Sequence, residues 1–129
     1  MRQITKRFLH GQDYRAEIEK LAEEHNITAG VLLSAIGSFL PAKLRMAGGK
    51  VVKEWNEPLE IVSGTGTIST NGIHVHVSGS DINGNVVGGH LMYGCMVNFT
   101  AEIVILAFDD VTYKREPDEH TGYNELVIE

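Results

Sequence analysis

Apolar and polar residues alternate along most of this chain with the period of two that marks half-buried strands, interrupted by one helical stretch. Gln3 to Leu9 suits an opening strand, broken by Gly11-Gln12-Asp13. From there Tyr14, Ile18, Leu21 and Ala22 fall at i, i+4, i+7 and i+8, with Glu17, Glu19, Lys20, Glu23 and Glu24 largely elsewhere. That spacing predicts an amphipathic helix of about three turns ending near Asn26. Asp13 is its expected N-cap, because its carboxylate can accept from the free amides of the first turn.

The rest of the chain predicts strands. Ala29 to Phe39, apolar, small and bounded by glycines, is expected to be a buried central strand. Ala42 to Met46 returns after Pro41, and Gly48-Gly49 turns the chain into Val51–Trp55. Leu59 to Ile68 carries threonines and glycines that imply a bend or bulge. Strands at 73–80 and 86–92 flank Asn83-Gly84, a dipeptide suited to the positive φ of a type I′ hairpin turn. Val97 to Phe108 is the most hydrophobic run, and the tail from Tyr113 has a turn-like segment before a short strand at 125–128. The expected fold is α/β of the α+β type. It is a largely antiparallel β-sheet with the N-terminal helix packed on it, one compact domain over residues 1–129.

Composition narrows the function. At 129 residues and 14.2 kDa, with 43% apolar residues, the chain is long enough for a real core. A single cysteine, Cys95, allows no intrachain disulfide, which fits the cytoplasm. No apolar run approaches the ~18 residues of a membrane span. The net charge of −6 counts against gripping a phosphate backbone, and the basic residues are scattered. Lys43, Arg45, Lys50 and Lys53 form the nearest thing to a patch.

The chemistry is concentrated in Gly72-Ile73-His74-Val75-His76-Val77-Ser78 and Gly88-Gly89-His90, which hold three of the six histidines. At i, i+2 on a strand, His74 and His76 share one face, with Cα atoms roughly 6.5–7 Å apart. One metal at about 2.0–2.1 Å from each nitrogen spans that gap. Zinc is the first expectation, although imidazole also suits copper, nickel and iron. Two exposed histidines on a polar face give the same spacing, and the neighbouring glycines favour the site by allowing close backbone approach. One difficulty remains in the register. A two-residue loop at Asn83-Gly84 pairs His90 with Val77 and turns it to the wrong face. A bulge at Gly88-Gly89, a longer loop, or ligands from another subunit would restore it.

Glu102 is the one charge in the apolar run, and a carboxylate there is costly unless it has a partner. It is expected either to serve the histidines as a base or supporting carboxylate, or to pair on an exposed or interface face. Ser34, Ser63 and Cys95 carry no nucleophile signature, and no Gly-Lys-Ser/Thr follows the glycines.

Taken together, the blocks Ala35-Ile36-Gly37-Ser38, Pro58 to Ile68, His74 to Ser78, Gly84 to Leu91 and Thr100 to Ile105 resemble the plants-and-prokaryotes-conserved domain, abbreviated PPC. The resemblance implies a homotrimer and carries His74, His76 and His90 over as metal ligands. In the plant relatives the domain follows an AT-hook, and no Arg-Gly-Arg occurs in this sequence. The leading expectation is a trimeric metal-binding domain with a position open to a small-molecule ligand. A metal-dependent enzyme using Glu102 and a DNA-associated regulator acting through the trimer surface are the alternatives.

Overall fold

The computed structural model describes all 129 residues. They form β1 (Arg2–Leu9), α1 (Tyr14–Glu24), β2 (Ala29–Phe39), β3 (Ala42–Arg45), β4 (Val52–Trp55) and β5 (Leu59–Ser69). β6 (Gly72–Ser80), β7 (Val86–Leu91), β8 (Val97–Ala107), β9 (Tyr113–Pro117) and β10 (Asn124–Ile128) follow. Eight strands make one sheet in the order β1-β8-β2-β5-β6-β7-β3-β4, and β9 pairs with β10 in a separate hairpin. Every pairing is antiparallel.

The helix forms where the apolar spacing requires it and buries Tyr14, Ile18 and Leu21. Asp13 caps it, one carboxylate oxygen accepting from the Ala16 amide at 3.0 Å and the other from the Gly94 amide at 2.8 Å. The Tyr14 ring meets Phe8 and Phe39 edge-on, at centroid distances of 5.7 and 5.1 Å. Such T-shaped contacts add to the area these rings bury. On β8, Ala101, Ile103 and Ile105 point into this core while Glu102 and Val104 point away.

Two expectations need correction. β2 is central, between β8 and β5, but it is buried on one face only: Leu33 and Ile36 are each 58% exposed. The lone helix covers one side of the sheet and leaves the other open. The tail also contains a strand that its sequence hides. Lys114, Arg115 and Glu116 give β9 no apolar alternation, so β9 depends on pairing with β10 and on the β5–β6 turn.

Candidate metal centre

β6 is held between β5 and β7, with Thr65 opposite His76 and Thr67 opposite His74. Val75 and Val77 point into the core, so the two histidines project from the other face. Across the hairpin His76 stands directly opposite His90. The register is therefore shifted by one from that of a two-residue turn. Asp81 makes the shift by organising a longer loop: its carboxylate accepts from the amides of Asn83 and Asn85, both at 2.9 Å, and its own amide bonds the Asn85 carbonyl. Ser80 then pairs with Val86, and His90 falls on the face shared by His74 and His76.

The glycines serve close approach. A Cβ on Gly88 would lie 2.9 Å from the Val77 carbonyl oxygen, and one on Gly89 would lie 2.7 Å from that of Arg45. Opposite Val75, a Cβ on Gly66 would come within 2.5 Å of the His74 carbonyl oxygen. Only glycine lets β5 and β7 pass this near β6, and β3 this near β7.

The three rings converge, with centroids 4.9 Å apart for His74 and His76, 5.0 Å for His74 and His90, and 5.6 Å for His76 and His90. The Nε2 atoms of His74 and His76 are 3.1 Å apart. One ion held tetrahedrally at about 2.0–2.1 Å from each nitrogen sets two ligand nitrogens roughly 3.3 Å apart. One nitrogen from each of the three residues lies within 4.8 Å of the others. Nδ1 of His90 is buried without a hydrogen-bond partner. A buried polar atom left unpaired is costly, and an imidazole nitrogen in that state is available to an ion. The donor set fits a divalent metal. His10, His25 and His120 take no part: His10 accepts from the Phe99 amide and His25 closes the helix.

Residues remote in sequence complete the surroundings. The Asn71 side chain accepts from the Arg115 amide at 2.8 Å and donates to its carbonyl at 2.9 Å, docking β9 on the β5–β6 turn. Arg115 Nη2 in turn donates to Thr67 Oγ1 at 2.7 Å, beside His74. Arg45 is the direct partner of His90 on β3, and its guanidinium lies over the Tyr123 ring at 5.3 Å. From the helix, Arg15 donates to the Leu91 carbonyl at 2.8 Å. Together with Glu125 these groups border a pocket of about 340 Å³ whose floor includes His74 and His90.

Glu102 is elsewhere. Its neighbours across the sheet are Arg7 and Ile36, and it is exposed. Three strand spacings separate β8 from β6, about 14 Å at ~4.8 Å each. Within one chain it cannot attend the histidines, which corrects that half of the expectation. Glu125, which sequence reasoning passed over, is the carboxylate that acts on His74. Nothing in a polar tail strand signals this, because only the docking of the β9–β10 hairpin brings it near.

Burial, reinforced by Arg45, His74 and Arg15, lowers the His90 pKa from the ordinary 6.5 to about 4. Burial also lowers that of His74, with His76 and Arg115 adding to the effect and Glu125 opposing it. At neutral pH His90 is therefore uncharged and competent to ligate. Because the unfolded chain takes up the His90 proton near 6.5 and the folded chain does not until about 4, stability falls as pH drops through that window. Thermal unfolding of metal-free protein between pH 7 and 4 should show this decline, and His90→Asn should make it shallower. An unchanged slope in the variant would contradict the assignment.

A family model described as the Plants and Prokaryotes Conserved (PCC) domain matches residues 1–109. The chain is 41% identical over 123 residues to the Bifunctional protein GlmU of a Synechococcus strain, a match covering 95% of this chain. It spans only 20% of that relative's length. Among solved structures, a hypothetical protein from Salmonella enterica superposes with a TM-score of 0.95 at 32% identity, covering 99% of this chain and 93% of that one. A metal-containing protein from Archaeoglobus fulgidus gives 0.82 at 31% identity, with 98% and 94% covered. A protein from Bacteroides thetaiotaomicron, reported as a candidate DNA-binding protein, gives 0.87 at 22% identity, with 97% and 91% covered. At that identity the likeness carries the fold alone.

Proposed function

The chain belongs to the Plants and Prokaryotes Conserved domain family, and from that premise we propose that it is a homotrimeric metal-binding domain. In this reading His74, His76 and His90 hold one divalent ion, zinc first, with a position left for a small ligand. The convergence of the three imidazoles on one sheet face is the observation that carries the reading. The description of the similar Archaeoglobus protein as metal-containing supports it. Three protein ligands distinguish an open site from a closed four-ligand structural one. When bound, the ion would supply Lewis acidity.

Self-association is supported by the face the helix leaves bare. Ile36 lies beside Val62 there, and Leu33 extends the apolar surface along β2, each more than half exposed. Glu102 shares this outer face, across from Ile36. Contiguous exposed apolar surface of this kind marks an interface.

Native mass spectrometry of untagged protein reconstituted with zinc tests both parts. The expected species has the mass of three chains and about one zinc per chain. Monomers would remove the trimer, and zinc-free protein would remove the metal centre.

The DNA-associated reading has less behind it. Lys43, Arg45, Lys50 and Lys53 all fall on the β3–β4 hairpin, but Glu54 stands opposite Lys43 and Arg45 is turned into the pocket. With a net charge of −6 and these cations divided between the hairpin surface and the pocket, the hairpin offers no continuous basic stripe for a nucleic-acid backbone. No helix is long and apolar enough to cross a membrane.

A further inference from the structure

Three of the chain's five arginines, Arg15, Arg45 and Arg115, border the same pocket beside the histidines, in a protein whose net charge is −6. They come from a helix, a sheet strand and the C-terminal hairpin, so sequence proximity does not explain their meeting. Glu125 is the only acid on the pocket wall, and Glu19 pairs with Arg15 from outside it, so Arg45 and Arg115 share a single countercharge and one positive charge is left uncompensated. Holding like charges together costs free energy unless an anion joins them. The arginines are not equally engaged. Arg15 is bound to Glu19 and to the Leu91 carbonyl. Neither Arg45 nor Arg115 takes part in any of the chain's ion pairs. Arg115 is fixed through Nη2 on Thr67, while its Nε is buried and unpartnered. Arg45 has its guanidinium carbon 5.3 Å from the centre of the Tyr123 ring, with no side-chain acceptor of its own.

We infer that this pocket binds a small oxyanion, a metabolite bearing a carboxylate or phosphate group, through Arg45 and Arg115. Guanidinium groups match the geometry of both anions by paired hydrogen bonds, and charge-assisted bonds of that kind are the strong ones. A volume of about 340 Å³ lies at the small end of ligand pockets. It suits a metabolite rather than a polymer. Arg15, already occupied, contributes long-range charge and anchors the helix to the end of β7, beside His90. That the anion is the ligand of the metal centre rests on the metal reading; that the pocket takes an anion rests on the arginines alone.

Calorimetric titration of the full chain with inorganic phosphate and, separately, with malonate tests this in the metal-free and zinc-loaded forms. Binding of at least one probe by metal-free protein is expected. Arg45→Gln and Arg115→Gln should each weaken it about tenfold or more, while Lys20→Gln, an equal charge change on the exposed face of the helix, leaves it unaltered. The preferred probe identifies the anion as phosphate or carboxylate. Thermal unfolding and zinc content of both variants should match wild type, which separates lost ligand from lost fold. Binding that appears only with zinc and ignores both arginine substitutions would overturn the proposal, as would no binding of either probe in either form. Protein that takes no zinc yet binds an arginine-dependent anion would overturn the metal reading and leave this one standing.

Discussion

Replacing His76 by alanine should weaken zinc binding by about a hundredfold or more and reduce the metal recovered with purified protein to background. His76 is central to the cluster: its Nε2 lies 3.1 Å from that of His74, and its backbone is paired with His90 across the hairpin. Removing it leaves His74 and His90, whose ring centroids stay 5.0 Å apart without the ligand that completes the set. Even groups that only support a ligand are worth 10–100-fold in affinity, so loss of a ligand itself sits at or beyond the upper end. The side chain is exposed, and alanine in its place removes no core contact, so the metal-free variant should unfold at nearly the wild-type temperature. Elemental analysis together with competition against a chromogenic chelator measures the effect. Wild-type zinc affinity in His76→Ala would disprove the three-histidine centre.

The second large effect concerns the fold. Gly37 on β2 has φ +142°, and a Cβ there would lie 2.3 Å from the Thr100 carbonyl oxygen and 2.6 Å from the Ala101 Cα. Both are backbone atoms of β8, so no rotamer change relieves the overlap. Gly37→Ala must either separate β2 from β8 or force a residue into a conformation costing roughly 1–3 kcal/mol before the clash is counted. For a domain whose total stability is about 5–15 kcal/mol, the expected result is a fall in Tm of about 10 °C or more, or insoluble protein. Gly84→Ala is the comparison. Gly84 also has positive φ, +82°, but nothing lies within 4 Å of its added Cβ, so it should lose only about 1 kcal/mol. Equal unfolding temperatures for the two variants, measured by differential scanning calorimetry, would refute the close-approach argument.

Much of this architecture was legible because it is local. Period-two alternation marks strands wherever one face is buried, and the i, i+4, i+7, i+8 spacing from Tyr14 allows only a helix with one apolar side. Asp13 is recognisable as a cap because capping is a contact between near neighbours. The histidine pair was readable for the same reason: two residues apart on a strand, His74 and His76 must share a face.

What depended on contacts between distant residues was not legible. Asn83-Gly84 predicts the hairpin but not its register, because the Asp81 carboxylate selects a longer loop and so turns His90 to its partners. Glu102 looked like a buried charge seeking a partner, since a hydrophobic run does not disclose that a single helix covers only one face of the sheet.

The sequence by itself determined the helix, the strands that bury one face and the shared face of His74 and His76, since backbone geometry and hydrophobic burial act over a few residues. Only the tertiary structure decided that His90 joins that pair, and that Arg15, Arg45, Arg115 and Glu125 border one pocket with His74 and His90. Those side chains belong to elements far apart in the chain. Their meeting is set by sheet order and by the docking of a polar hairpin through Asn71, neither of which any local pattern encodes.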